Sequence, residues 1–592
     1  MKQFFKFMFA SMLAMLVTFF ITMIIFFAVI GTLISSATSS SEKIVKIKDN
    51  SVLHLKFDYP IKDRTSNNPF ENIDFSTFET HENLGLDLIL KNIAKAKDDD
   101  KIKGIYLDLT SMNTGMASIE EIRNALKDFK KSGKWIVSYS EVYTQSTYYL
   151  ASLSDKIYLN PAGLVEMRGL STQLIFFKNA LEKLEVEMQI IRHGKFKSAV
   201  EPYMLEKMSD SNREQMELIL NTAWGSMLKD LSESRKITIE ELNAIADDIK
   251  IQTAKDALAH KFVDKLVFKD EFLDELKKRV GAESYDDINY ISLSKYNNST
   301  PEKEENVSKN QIAVIYASGD IISGKSNDGS MGSETISEAI REARLDENVK
   351  AIVLRVNSPG GSALASDVMW REVVLAKKVK PVVVSMGDVA ASGGYYIACA
   401  ANKIVANEKT ITGSIGVFGV IPNVQGMFNN KLGITFDFAK TNKHADIMTM
   451  FRPLTAEEKD IIQIGVENIY DDFITKVGEG RGMTKEQVDS IGQGRVWTGL
   501  DAKKIGLVDE IGGIDEAIAI AKDLAKLDDY NLVDYPKLKD PFEQFMLSLT
   551  EGAETKILKT YLGENYKYYQ KVQSMTTQSG YMTRMPYEID FH

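Results

Sequence analysis

Two stretches of this chain align with two others in one register, and that internal repeat limits the possible folds more than any other feature. Ile102–Leu109 (IKGIYLDL) matches Val349–Val356 (VKAIVLRV), and Glu141–Lys156 matches Asp388–Lys403. Both matches share an offset of 247 (349 − 102 and 388 − 141). A chain of 592 residues could hold about four average domains, but a repeat of this period divides it into two large copies. Either copy is long enough to bury a core of its own. At the shared offset Gln145 faces Ser392, and Lys197 faces His444. The second copy thus has a serine in a glycine-rich turn, and the first has a lysine where the second has none. Half of a reactive pair on each copy suggests a Ser–Lys site completed between domains.

Composition narrows the function classes. A net charge of −11 argues against a nucleic-acid partner, because phosphate binding needs a dense Lys/Arg face. Lys/Glu runs such as Glu302–Glu305 read as solvated surface. The single Cys399 rules out an internal disulfide and a thiolate metal cluster. Small neighbours on an apolar helix mark it as a core residue.

From Phe7 to Ser41 there is no charged residue, and Phe9–Ile34 is almost wholly apolar. A secretory h-region is about 7–15 residues, whereas a bilayer span takes about 20. The stretch is long enough to span, with Lys2 and Lys6 kept on the cytoplasmic side by the positive-inside rule. The catalytic copies are then expected on the far, periplasmic side of a bacterial inner membrane. The alternative is a long cleaved signal sequence, with Ser36-Ala37-Thr38 as a loose peptidase site.

Beyond this segment strands and helices alternate. Ser51–Phe57 and Gln311–Tyr316 open the two copies as apolar strands, and further strands are expected at Ala351–Val356, Pro381–Met386 and Lys403–Ala406. Helices are expected at Ala363–Lys378 and Gly394–Ala401. This order predicts an α/β fold of parallel βαβ units with right-handed crossovers. The expected layout is a cytoplasmic N-terminus 1–6, a transmembrane anchor 7–41, a first copy 49–296, a polar linker 297–310, a second copy 311–530 and a tail 531–592 without functional reading.

The chemistry concentrates in the second copy. Ala390-Ala391-Ser392-Gly393-Gly394 follows an apolar strand and opens a helix, so Ser392 sits where free N–H groups favour a developing anion. The preceding βα turn, Asn357-Ser358-Pro359-Gly360-Gly361-Ser362, gathers at the same carboxyl edge of the sheet. The N–H groups of Gly361 and Gly393 could converge as an oxyanion hole. The first copy has no Pro-Gly-Gly in Thr110–Gly115 and no glycine in Thr144–Thr147, so it looks unfit for acyl chemistry. For a base there are six histidines (His54, His81, His193, His260, His444 and His592), none in a metal motif of the HExxH type. His444 lies in the serine-bearing copy. The first copy offers Lys197 in Gly194–Pro202 (GKFKSAVEP), which by composition alone reads as a surface lysine. To act as a base it must be neutral, its pKa lowered from about 10.4 toward 7–8 by burial.

These motifs, with Thr412-Gly413-Ser414-Ile415-Gly416, Trp497-Thr498-Gly499 and Gly506–Asp509, resemble the long, duplicated members of the signal peptide peptidase A family. Members are membrane-anchored Ser–Lys proteases built from ClpP/crotonase-like domains, and the likeness covers about Asn50–Tyr530. The resemblance implies Ser392 as nucleophile, Lys197 as general base and Ser414 as the residue that positions the lysine. Gly361 and Gly393 fall on its oxyanion-hole positions. It implies remnant signal peptides and misfolded envelope proteins as substrates, a homotetramer, and no metal or organic cofactor.

Two other classes remain open at this point. A crotonase-type acyl-CoA enzyme would share the fold but has no use for Ser392 and Lys197 together. A catalytically silent membrane scaffold would need neither an intact serine turn nor an intact lysine loop.

Overall fold

The structure is a computed structural model that describes residues 2–42, 45–68, 73–74, 79–80, 83–299, 308–327, 329–538 and 580–585. Most of the expected linker and tail, residues 300–307, 539–579 and 586–592, lies outside the described residues. A helix, Lys2–Glu42, leads the chain. Its segment Gln3–Ile25 has a mean hydropathy of 2.4 and none of it is buried in the protein. Those 23 residues span roughly 34 Å as a helix, against about 30 Å of bilayer hydrocarbon.

The repeat is visible element by element. Helices at Leu86–Asp98 and Met116–Phe129 and strands at Trp135–Tyr143 and Lys156–Val165 have counterparts at Ser333–Leu345, Ala363–Lys377, Val382–Ala391 and Lys403–Ala406. All four pairs start 247 residues apart (333 − 86, 363 − 116, 382 − 135, 403 − 156). In each copy a sheet of mainly parallel strands runs through the centre. The first has Ser51–Leu55, Ile102–Asp108, Trp135–Tyr143 and Lys156–Val165 side by side, the second Gln311–Ser318, Val349–Ser358, Val382–Ala391 and Lys403–Ala406. Near-continuous apolar runs such as Ala351–Leu354 form these strands because helices cover both faces of a parallel sheet. The βαβ alternation expected from the sequence is the architecture found. The second sheet extends past Tyr530, since Asn531–Tyr535 pairs with Gln311–Ser318.

The copies are not independent bodies. The apolar core of the first runs on into Ile312, Val314, Ala351 and Val353 of the second. Strand Glu187–Arg192 of the first copy pairs antiparallel with Phe418–Asn423 of the second through six residues. Charge adds a third tie. Arg355 stands in the middle of an apolar strand with 1% of its surface exposed. Its Nε lies 2.8 Å from Asp63 Oδ1 and its Nη2 2.8 Å from Glu121 Oε1, both on the first copy. Such a triad is stable only while complete, because each charge has left water and depends on its partners.

Arg355→Ala leaves two buried carboxylates facing each other. It is expected to cost about 3–5 kcal/mol of stability, read from denaturant midpoints of parent and variant. A loss below about 1 kcal/mol would put the triad in the class of solvated surface pairs.

Candidate active site

Strand Val382–Ala391 delivers Ser392 to the carboxyl edge of the second sheet, and helix Gly393–Ala398 begins immediately after it. The strand reaches Ala391, so the turn is tighter than the five residues read from the sequence. Ser392 takes φ 55° and ψ −111°, a conformation costly for a residue with a Cβ. Its N–H donates to Gly413 O at 2.8 Å and its carbonyl accepts from Tyr396 N at 2.8 Å, which holds the strained backbone in place. Ser414 is likewise at positive φ, 51°.

Lys197 arrives from the first copy, just after the strand that crosses to the second. Phe196 N donates to Gln493 O at 3.1 Å, and His193 N to Val417 O at 3.1 Å, so the loop is stitched to the second copy on both sides of the lysine. Gln215 supports the same loop from below. Its Nε2 donates to Ser198 Oγ at 2.7 Å, and its Oε1 accepts from Val496 N at 3.3 Å. Gly494 lies against the lysine's Cα and Cβ; a side chain there would come within 2.6 Å of the Cβ.

Lys197 is fully buried, not the surface lysine that composition suggests. Its Nζ lies 2.9 Å from Ser392 Oγ, 3.1 Å from Ser414 O and 3.0 Å from Ser414 Oγ. Ser392 and Ser414 are buried as well. Burial alone pushes the lysine well below its usual pKa range. Lys409, also without exposed side-chain surface, has Glu120 at 3.1 Å. The contrast is chemical. A lysine held among neutral oxygens is stable as the free amine, whose two N–H groups suit Ser414 O and Oγ and whose lone pair can face the Ser392 hydroxyl.

The glycine turn closes over this group. Strand Gly360–Ser362 follows Pro359, and Gly360 has φ 99°. A side chain on Gly360 would come within 2.8 Å of Gly393 N, so the Gly360-Gly361 and Ser392-Gly393 turns lie against one another. Asn357, at the start of the turn, is gripped at both ends. Its Nδ2 donates to Asp63 Oδ2 at 2.6 Å and its Oδ1 accepts from Val389 N at 3.1 Å. The first copy therefore supplies Asp63 as well as the lysine. Sequence reasoning missed Asp63 and Gln215. The one available signal for the former was an arginine inside an apolar strand, which demands a buried counter-charge.

The other candidates lie elsewhere. His444 bonds Glu457 and Glu458 at 3.3 and 3.4 Å. Gln145, at the first-copy position of Ser392, accepts from Arg168 N at 3.0 Å and Gly169 N at 3.1 Å, a purely structural clasp. Cys399 is buried, as expected.

Sequence comparison is consistent with this geometry. The profile of Peptidase family S49 matches residues 128–283 and 375–528, segments that start 247 residues apart (375 − 128). A "Protease 4" of Salmonella typhi is 42% identical over 471 residues, 78% of this chain and 75% of that one. The chain belongs to peptidase family S49. The chloroplastic "Serine protease SPPA" of Arabidopsis thaliana is 35% identical over 75% of this chain and 66% of its own. A "Putative signal peptide peptidase SppA" of Enterococcus faecium is 35% identical over 39% of this chain and 69% of its own. This S49 chain is thus a serine-type protease with two copies of the family domain.

The buried lysine has a signature in stability. With its folded pKa lowered, the unfolded chain binds the extra proton between that value and about 10.4, so stability rises with pH across this window. Lys197→Met removes that slope. The variant is expected to be at least as stable as the parent near neutrality, with its advantage shrinking toward pH ~10. Denaturant midpoints at both pH values check this. A variant that is markedly less stable at neutral pH would mean a charged, ion-paired lysine.

Proposed function

We propose that this S49 protease is a membrane-anchored endopeptidase that works through a Ser392–Lys197 dyad divided between its two copies. The observation that supports the dyad is the 2.9 Å approach of Lys197 Nζ to Ser392 Oγ in a buried setting with burial as the only cause of the lysine's shift. Neutral Lys197 accepts the Ser392 proton while Oγ attacks the scissile carbonyl. The N–H groups of Gly361 and Gly393 stabilise the oxyanion, a contribution of about 3–4 kcal/mol per donor in comparable sites. The tetrahedral intermediate collapses as the lysine gives its proton to the leaving amine, and an ester to Ser392 remains. Lys197 then takes a proton from water, hydroxide attacks the ester, and the proton returns to Ser392 as the acid leaves. Ser414 keeps the amine aimed, and Asp63 holds the turn that carries Gly361.

The substrate reading joins the apolar N-terminal helix to the dyad. Remnant signal peptides lie in the plane of a membrane, and a protease tethered beside that membrane meets them at high effective concentration. Lys2 and Lys6 favour a cytoplasmic N-terminus with the two copies outside. Likeness to a protein named as a signal peptide peptidase supports the same substrate class.

Ser392→Ala and Lys197→Ala are each expected to lower kcat/KM on fluorogenic peptides by at least about 10³-fold, with the double variant no worse than either alone, since the two act as a unit. His444→Ala is expected to keep activity. Loss in His444→Ala with survival in Lys197→Ala would make the enzyme a Ser–His hydrolase.

For the anchor, the full chain is expected in the membrane fraction after carbonate washing, and accessible to added protease only once the outer face is opened. Soluble mature chains beginning near residue 38 would instead show a cleaved signal sequence.

A further inference from the structure

The second copy's smaller sheet contains a strand from the far end of the chain. Gly580–Arg584 lies between Gly360–Ser362 and Phe418–Asn423 and pairs antiparallel with both. On one side Gly361 faces Thr583, and on the other Phe418 faces Met582. The two neighbours are the strand that carries the oxyanion turn and the strand that crosses to the lysine-bearing copy. Take Gly580–Arg584 away and both present an open edge, the arrangement that captures extended peptides by main-chain hydrogen bonds.

The strand's side chains are seated as well. Thr583 is fully buried; its Oγ1 donates to Gly361 O at 3.3 Å, and a side chain on Gly393 would come within 3.0 Å of that same oxygen. Thr583 O lies so close to Gly360 that a side chain there would come within 2.1 Å of it. Met585 N donates to Pro359 O at 2.6 Å. The Met585 side chain is 3% exposed in an apolar pocket of Met216, Ile219, Ala391, Ile411 and Val496. Arg584 pairs with Asp320 at 3.1 Å. With this segment in place Ser392 and Lys197 have no exposed surface.

We propose that residues 580–585 are a resident competitor for the substrate strand: the chain's own tail fills the peptide slot beside Ser392 and must leave before a substrate enters. This rests on the slot being the substrate site of the proposed dyad. The grip is short, three residue pairs on either side, so a longer peptide can exchange with it. The seated segment also states the slot's preference: a small residue over Gly393, a basic one beside Asp320, and a long unbranched apolar one in the pocket of Met216 and Val496.

Binding separates this from the catalytic reading. In a Ser392→Ala background, a fluorescein-labelled peptide of residues 580–585 (GYMTRM) is titrated against the full chain, a chain ending at Ser579, and the full-length Thr583→Arg variant, whose side chain cannot fit against the glycine turns. The peptide is expected to bind the last two at least roughly tenfold more tightly than the full chain, and to lose that affinity when its final Met is replaced by Asp. Equal affinity for all three proteins, or no binding to either opened form, overturns the proposal whether or not Ser392 is the nucleophile. If the shortened chain does not fold, Thr583→Arg decides alone. With the native serine, both opened forms are expected to react faster than the full chain with a fluorophosphonate at Ser392. Equal rates with labelled Ser392 in all three would contradict tail closure while leaving the dyad intact.

Discussion

The Lys197 amine has oxygen neighbours from two serines and no carboxylate partner, and the rest of the site is arranged around that condition. A buried ammonium without a counter-charge is costly, so the group sheds its proton and becomes a base. The lysine belongs to one copy and its oxygen partners to the other. Their separation must hold to a fraction of an ångström, because hydrogen bonding decays steeply with distance. A flexible linker could not ensure this. The six-residue strand pairing of Glu187–Arg192 with Phe418–Asn423, the shared apolar core, and the Arg355–Asp63–Glu121 triad can.

Duplication explains why both halves are kept. The first copy's turn at Thr110–Gly115 lacks the Pro-Gly-Gly of its counterpart, and its helix Met116–Phe129 has acquired another task. Ser118 N donates to Asp388 Oδ1 at 2.9 Å, while Glu120 and Glu121 reach Lys409 and Arg355. The helix matching the one beside the oxyanion turn therefore docks the first copy onto the second. Withdrawal from water pushes the Asp388 carboxyl above its usual range, and the Ser118 contacts hold it there, four residues before the nucleophile.

Much of this was legible in the sequence, for physical reasons. The repeat fixed the strand and helix order, since apolar strands and glycine turns follow from backbone chemistry common to both copies. Ser392 and Gly393 could be read from the strand-turn-helix pattern, whereas Lys197 needed family likeness, because nothing local separates a buried lysine from a solvated one. Asp63, Gln215 and Gly580–Arg584 were not legible at all. Each acts through contacts hundreds of positions away, such as Asp63 with Asn357 or Thr583 with Gly361, and neither carries a local periodicity. The histidine that lines up with Lys197 misled only by position: His444 belongs to a carboxylate cluster with Glu457 and Glu458.

The central claim is that Ser392 is activated by a neutral Lys197. The rate constant for fluorophosphonate acylation of Ser392, followed by intact mass across pH, measures that directly. The account predicts a single rising limb with its inflection well below the usual lysine value of about 10.4, absent in Lys197→Ala. A limb near pH ~6.5 that survives in Lys197→Ala would contradict it and point to a histidine base.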